Sequence, residues 1–210
     1  MSFRTVTMTA LMTLTTTAAL AESPREENLG ARTLRQAQGE WASEQGEVRV
    51  SEGGGRTYLT RHFLFTPDAN HATFVFYTDA SFQVPNLTLR FWGGYTLLGE
   101  SPAVKGALEA EFPLSNAAIT PNTEGAAAFL NSAPAGTCGT QPWQVGVEQD
   151  VTASGGCILF GLNTATTVEY DLLKVQGNRL YFGARPADGG LLDSPERRPT
   201  ALQVPVVRVR

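Results

Sequence analysis

Residues 47–65 read EVRVSEGGGRTYLTRHFLF, two runs rich in aromatic and β-branched residues on either side of a glycine-rich break. Residues 47–50 and 57–65 have the character of strands. Ser51-Glu52-Gly53-Gly54-Gly55 between them supplies glycines that can adopt the positive φ of hairpin turns. Within the second run, Leu59, Arg61, Phe63 and Phe65 share one face, and Thr60, His62 and Leu64 the other. The stretch predicts an antiparallel hairpin with a largely aromatic face turned inwards.

The same grammar continues outward. Strands are expected at 72–77, at 87–92, and at 104–112, where Val104, Leu108, Ala110 and Phe112 alternate with Lys105, Glu109 and Glu111. They resume at 144–151, 157–162, 168–175 and 180–183, the last two joined by the hairpin signal Gln176-Gly177-Asn178-Arg179, and a final extended segment covers 201–209. One short helix interrupts them: Thr120 suits an N-cap, Pro121 a first helical position, and Ala126 to Leu130 a brief helical run before Asn131 and Pro134. So many strands joined by tight turns predict a barrel or sandwich.

Upstream, Arg4 precedes an apolar, threonine-rich run from Val6 to Leu20, with small residues at Ala19 and Ala21, the pattern of a signal peptide at 1–21. Residues 22–38 are polar and charged, with Leu29 and Leu34 the only large apolar side chains, and are expected to be a flexible lead-in. A single domain is then expected over 39–210. No run after the signal peptide is long enough to span a bilayer. Loss of Arg4 would leave 15 of the 16 basic residues against 20 acidic ones, which argues against a nucleic-acid partner. The chain has two cysteines, Cys138 and Cys157, and in an exported protein an even count favours a disulfide over a metal site or a catalytic thiol.

Signals for chemistry are weak. The two histidines, His62 and His71, accompany neither a nucleophile elbow nor a metalloprotease run; His62 lies on the polar strand face and His71 in a turn. Glu109 and Glu111 alternate with apolar residues as a solvated strand face requires, so they are not read as an acid/base pair. Arg61 stands out because its phase puts a guanidinium on the interior face, where it needs a partner. It is read as a structural residue stacked on an aromatic such as Trp41 or paired with a carboxylate, with a head-group anchor as the functional alternative.

Three blocks carry a family pattern. They are Gly39-Glu40-Trp41-Ala42-Ser43-Glu44 with Leu59-Thr60-Arg61-His62-Phe63; Trp143-Gln144-Val145-Gly146-Val147 with Gln149-Asp150-Val151-Thr152 and Gly156-Cys157; and Gly183-Ala184-Arg185-Pro186-Ala187-Asp188-Gly189 with Pro195-Glu196-Arg197-Arg198-Pro199-Thr200. In this order the chain resembles the repeated domain of the adenomatosis-polyposis-coli-down-regulated family of extracellular Wnt inhibitors. The resemblance implies an antiparallel open or incomplete β-barrel whose hydrophobic interior can hold a lipid chain. It also implies that Gly46 and Phe82 stand where the family has cysteines, a cross-link lost at both ends. With one copy of the domain and no anchor segment in this sequence, membrane-tethered Wnt antagonism is not carried over. Gly39-Glu40-Trp41 is in addition similar to the opening of lipocalins, in which an arginine packs over the tryptophan.

The expectation is a mainly β, antiparallel open or incomplete barrel with one short helix. It would be secreted or periplasmic and non-enzymatic, and would bind a lipid, another apolar small molecule or a lipidated protein. Phe63, Phe65, Phe74, Phe76 and Phe91 are the candidate ligand wall and Arg61 the candidate polar contact, with no cofactor or metal expected. The competing expectation is an interaction module whose interior is filled by its own side chains.

Overall fold

The computed structural model describes residues 28–165 and 167–209, so the expected signal peptide lies outside the described residues. Along the chain, helix α1 (Leu29–Ala37) precedes strands β1 (Gly39–Ser43), β2 (Glu47–Val50), β3 (Arg56–Phe65), β4 (Asn70–Tyr77), β5 (Pro85–Gly93), β6 (Thr96–Glu100), β7 (Leu108–Pro113) and β8 (Asn116–Pro121). Helix α2 (Glu124–Asn131) follows, then β9 (Gln149–Asp150), β10 (Gly156–Cys157), β11 (Leu162–Asn163), β12 (Val168–Gln176), β13 (Arg179–Phe182) and β14 (Val206–Arg208).

The hydrogen-bonded order is β6-β7-β12-β13-β14-β1-β3-β4-β5-β8-β9, antiparallel throughout, with β2 attached to β3 off this path and β10–β11 a separate pair. The terminal strands β6 and β9 do not pair with each other, so the sheet is a curled, open half-barrel. Alternation in β3 sets which side is inside. Leu59, Arg61, Phe63 and Phe65 are buried, while Thr60, His62 and Leu64 are only partly covered. The registers Arg61↔Phe74, Phe74↔Leu89 and Leu89↔Ile119 carry that inner face across β4, β5 and β8.

Strand β3 is flanked on one edge by two strands in succession. Its second half pairs with β1 and its first half with β2, the two separated by a bend after Ser43. Only β1 continues the sheet into β14. Among the described residues β2 pairs with β3 alone, and on it Glu47 is buried and Arg49 partly buried while Val48 and Val50 are exposed.

Several boundaries differ from expectation, each for a physical reason. The strand expected from 104 begins only at Leu108, because Gly106 at φ +72° closes a turn in which Ala107 N–H donates to the Val104 carbonyl at 3.1 Å. Thr120 and Pro121 are not the helix start: Thr120 pairs with Thr88 in β8, and α2 begins three residues later, capped by Thr123 Oγ1, which accepts from Ala126 N–H at 3.1 Å. Tertiary pairing overrides the local cap signal there. The lead-in expected to be flexible contains α1, a second helix. Asn28 Oδ1 caps it by accepting from Ala31 N–H at 2.8 Å, and the helix packs against β6 and β12 through the small buried residues Thr33 and Ala37. A search for large apolar side chains passes over such a contact.

Trp41 is fully buried, and its indole N–H donates to the Ala37 carbonyl at 2.6 Å. The guanidinium over its ring, 4.1 Å from the centroid, belongs to Arg208 rather than to Arg61, and it also donates to the Gln38 and Gln36 carbonyls at the end of α1. Cys138 and Cys157 form a buried disulfide. Phe82 fills the space beside Gly46: a Cβ on Gly46 would lie 2.4 Å from the Phe82 ring. The ring meets Tyr58 and Tyr77 edge-on.

Candidate functional site

The curl of the sheet bounds a half-open cavity of about 620 Å³ on its inner side. One part of the wall is aromatic. Ring centroids link Phe91 to Phe74 at 5.0 Å, Phe74 to Phe63 at 5.7 Å, Phe63 to Phe182 at 4.4 Å and Phe182 to Phe112 at 6.1 Å, so five strands contribute to one continuous apolar surface. Leu89, Leu114, Phe160 and Leu191 extend it.

Of the candidates read from the sequence, Phe63, Phe74, Phe76, Phe91 and Arg61 line this cavity. Phe65 does not. It is 1% exposed and packed among Tyr95, Phe112 and Phe182, so it belongs to the filled end of the interior. Phe112 and Phe182 were absent from the candidate wall although both lie on strands with readable alternation. Placing them opposite β3 requires the β7–β12 pairing and the route from β13 through β14 and β1 to β3, which local sequence does not encode.

The remaining wall is charged. Arg61 is 2% exposed and holds two partners: its Nε donates to Glu47 Oε1 at 2.9 Å and its Nη2 to the Val204 carbonyl at 2.8 Å. Of the structural alternatives, the carboxylate pair is present, and the aromatic beside the guanidinium is Phe63, at 5.9 Å from its ring centroid, rather than Trp41. Burial lowers the Arg61 pKa, opposed by Glu47. Arg185, from the loop after β13, pairs with Glu169 and lies 3.8 Å from Asp171 Oδ2. Burial works against the charge of Arg185, yet Glu169 and Asp171 outweigh it and raise the pKa. The fully buried Asp171 accepts at Oδ1 from the Leu172 and Gly183 amides, at 2.7 and 2.8 Å, and its Oδ2 has no hydrogen-bond partner among the described residues. Burial above all, with Glu169 adding, pushes its pKa up to about 7 against the opposing pull of Arg185 and the two amides.

Arg49 sits between these pairs. Its pKa is lowered to about 10, first by burial and then by the neighbouring charges of Arg185 and Arg61. It donates to Gln203 Oε1 at 3.3 Å and lies 5.9 Å from the Phe74 ring centroid, and it is in no ion pair among the described residues. The loop that carries Arg185 closes over this end, where Glu52 N–H donates to the Ala187 carbonyl at 3.1 Å.

Both histidines face away from the cavity. His62 stands on the outer sheet face, its side chain 46% exposed and 3.6 Å from Glu40, and His71 is exposed. Glu109 and Glu111 are also outside, where both are within reach of Arg198, at 3.4 and 3.9 Å. No helix among the described residues is long and apolar enough to cross a membrane. The site is thus a concave chamber with an aromatic wall and a charged wall, suited to enclosing an apolar or amphipathic molecule. A family model described as Adenomatosis polyposis coli down-regulated 1 matches residues 16–209, nearly the whole chain.

Proposed function

The chain belongs to the adenomatosis polyposis coli down-regulated 1 family, and on that premise we propose that it is an exported, non-enzymatic binding domain that takes an acyl chain or similar apolar group into its half-barrel. The observation that carries this reading is the chamber of about 620 Å³ walled by Phe63, Phe74, Phe91, Phe112 and Phe182. Its volume falls within the range of small-molecule pockets, roughly 300–1,000 Å³. An interaction module with a self-filled core would close this space, as Phe65 and its neighbours close the adjacent end. The buried disulfide supports an oxidising compartment and so an exported product.

Burial of a chain contributes about 0.8 kcal/mol per CH₂, so affinity should rise about fourfold per added methylene until the chamber is full. Salt should change it little, because the contacts are apolar or shielded from solvent. The test is displacement of a fluorescent fatty acid from delipidated protein by a homologous series of acids. Rising affinity that reaches a plateau, weakened by Phe74→Ala and Phe76→Ala, supports the reading. Absence of saturable binding at every chain length rejects it.

A further inference from the structure

We propose that the charged wall seats the anionic head of an amphipathic ligand, with the Arg49 guanidinium as its ion-pair partner and a single-chain fatty carboxylate as the ligand class. This rests on the apolar-chamber reading above and specifies the chemistry of its polar end.

The three arginines of the chamber are not equivalent. Arg61 is committed to Glu47 and the Val204 carbonyl, and Arg185 to Glu169. Asp171 spends Oδ1 on two backbone amides and turns Oδ2 towards Arg185. Arg49 alone of the three is in no ion pair among the described residues, and its one hydrogen bond goes to a neutral side chain, Gln203. Glu47 and Glu169 offset only part of the effect of burial and of the neighbouring Arg185 and Arg61 on this partly buried cation, and neither forms an ion pair with it, so an incoming carboxylate can add a charge-assisted hydrogen bond.

Position matters as much as charge. The Arg49 guanidinium stands 5.9 Å from the centroid of Phe74, which continues through Phe63 to Phe182 on one side and to Phe91 on the other. A head held at Arg49 therefore delivers its tail directly onto the aromatic wall. Arg49 is also carried on β2, which pairs with β3 and whose following turn is tied to the Arg185 loop by the Glu52–Ala187 hydrogen bond, so the anchor lies where that loop meets the aromatic wall. An esterified acyl group or a fatty alcohol fits the same wall but offers Arg49 no charge.

The experiment compares hexadecanoate with hexadecan-1-ol as displacers of an uncharged pyrene-labelled hydrocarbon from the delipidated full chain. Wild-type protein should bind the acid about tenfold or more tightly than the alcohol, the difference expected of a hydrogen bond to a charged group. Arg49→Met should abolish the preference by weakening the acid while leaving the alcohol within about threefold, and Arg49→Lys should retain part of it. Equal binding of acid and alcohol by wild-type protein overturns the head-group assignment and leaves the apolar chamber standing; so does an Arg49→Met that weakens both alike. If neither compound displaces the probe, the chamber reading falls with it.

Discussion

Arg61→Ala removes the inward guanidinium of β3 and strands two groups at once. The Glu47 carboxylate, 8% exposed, loses the 2.9 Å ion pair and keeps only the Ser43 hydroxyl at 2.5 Å, while the Val204 carbonyl loses its 2.8 Å donor. Breaking a buried pair from one side costs about 3–5 kcal/mol, and the orphaned carbonyl adds roughly 1 kcal/mol. In a domain of this size each kcal/mol lowers the melting temperature by about 2–4 °C, so the variant should melt on the order of 10 °C lower. Replacing both partners, Arg61→Met with Glu47→Leu, removes the uncompensated charge and should recover most of that loss. Thermal melts followed by circular dichroism read both variants. A single substitution that melts within about 2 °C of wild type, or a double variant no better than the single one, refutes the claim that this pair is a structural unit.

Other outcomes follow from the same structure. Asp171 has its folded pKa pushed to about 7, above an unfolded value of about 3.9. The folded state therefore holds the extra proton between about pH 4 and 7, so this group's contribution to stability falls as pH rises through that window and the loss is complete above it. Asp171→Asn should thus gain in melting temperature relative to wild type between pH 5 and pH 8, and a difference that stays flat with pH would count against the assignment. Gly46→Cys with Phe82→Cys should form a second disulfide, because the two positions face each other, and mass mapping of the non-reduced variant must find the linked peptides. Gly46→Ala alone should destabilise the protein, since its Cβ would meet the Phe82 ring at 2.4 Å; a neutral result would mean that the ring moves aside freely. Thr123→Ala should cost about 1 kcal/mol by removing the cap of α2, read by chemical denaturation, and no loss would mean that water replaces the hydroxyl.

What the sequence disclosed and what it hid divide along the range of the interactions. Hairpins β2–β3 and β12–β13 were legible because their signals are local: alternation, then glycine at the turn, with Gly177 at φ +62°. The inward phase of Arg61 followed from the same alternation, but Glu47 as its partner depended on the register Glu47↔Leu59, which sets the carboxylate beside β3. Helix α1 escaped notice because its buried face is Thr33 and Ala37 rather than a run of large side chains. The charged wall was also hidden. Glu169 and Asp171 on β12 meet Arg185 through the return of the chain after β13, and Arg49 reaches them from the far end of the sequence. No spacing rule joins such residues.

The most direct test of an apolar ligand in the half-barrel is a crystal structure of the protein with an ω-bromo fatty acid, in which anomalous scattering locates the tail. One dominant bromine site is expected inside the chamber, in contact with the wall formed by Phe63, Phe74, Phe91, Phe112 and Phe182. Bromine found only on the outer surface, with those rings collapsed together across the chamber, would contradict it.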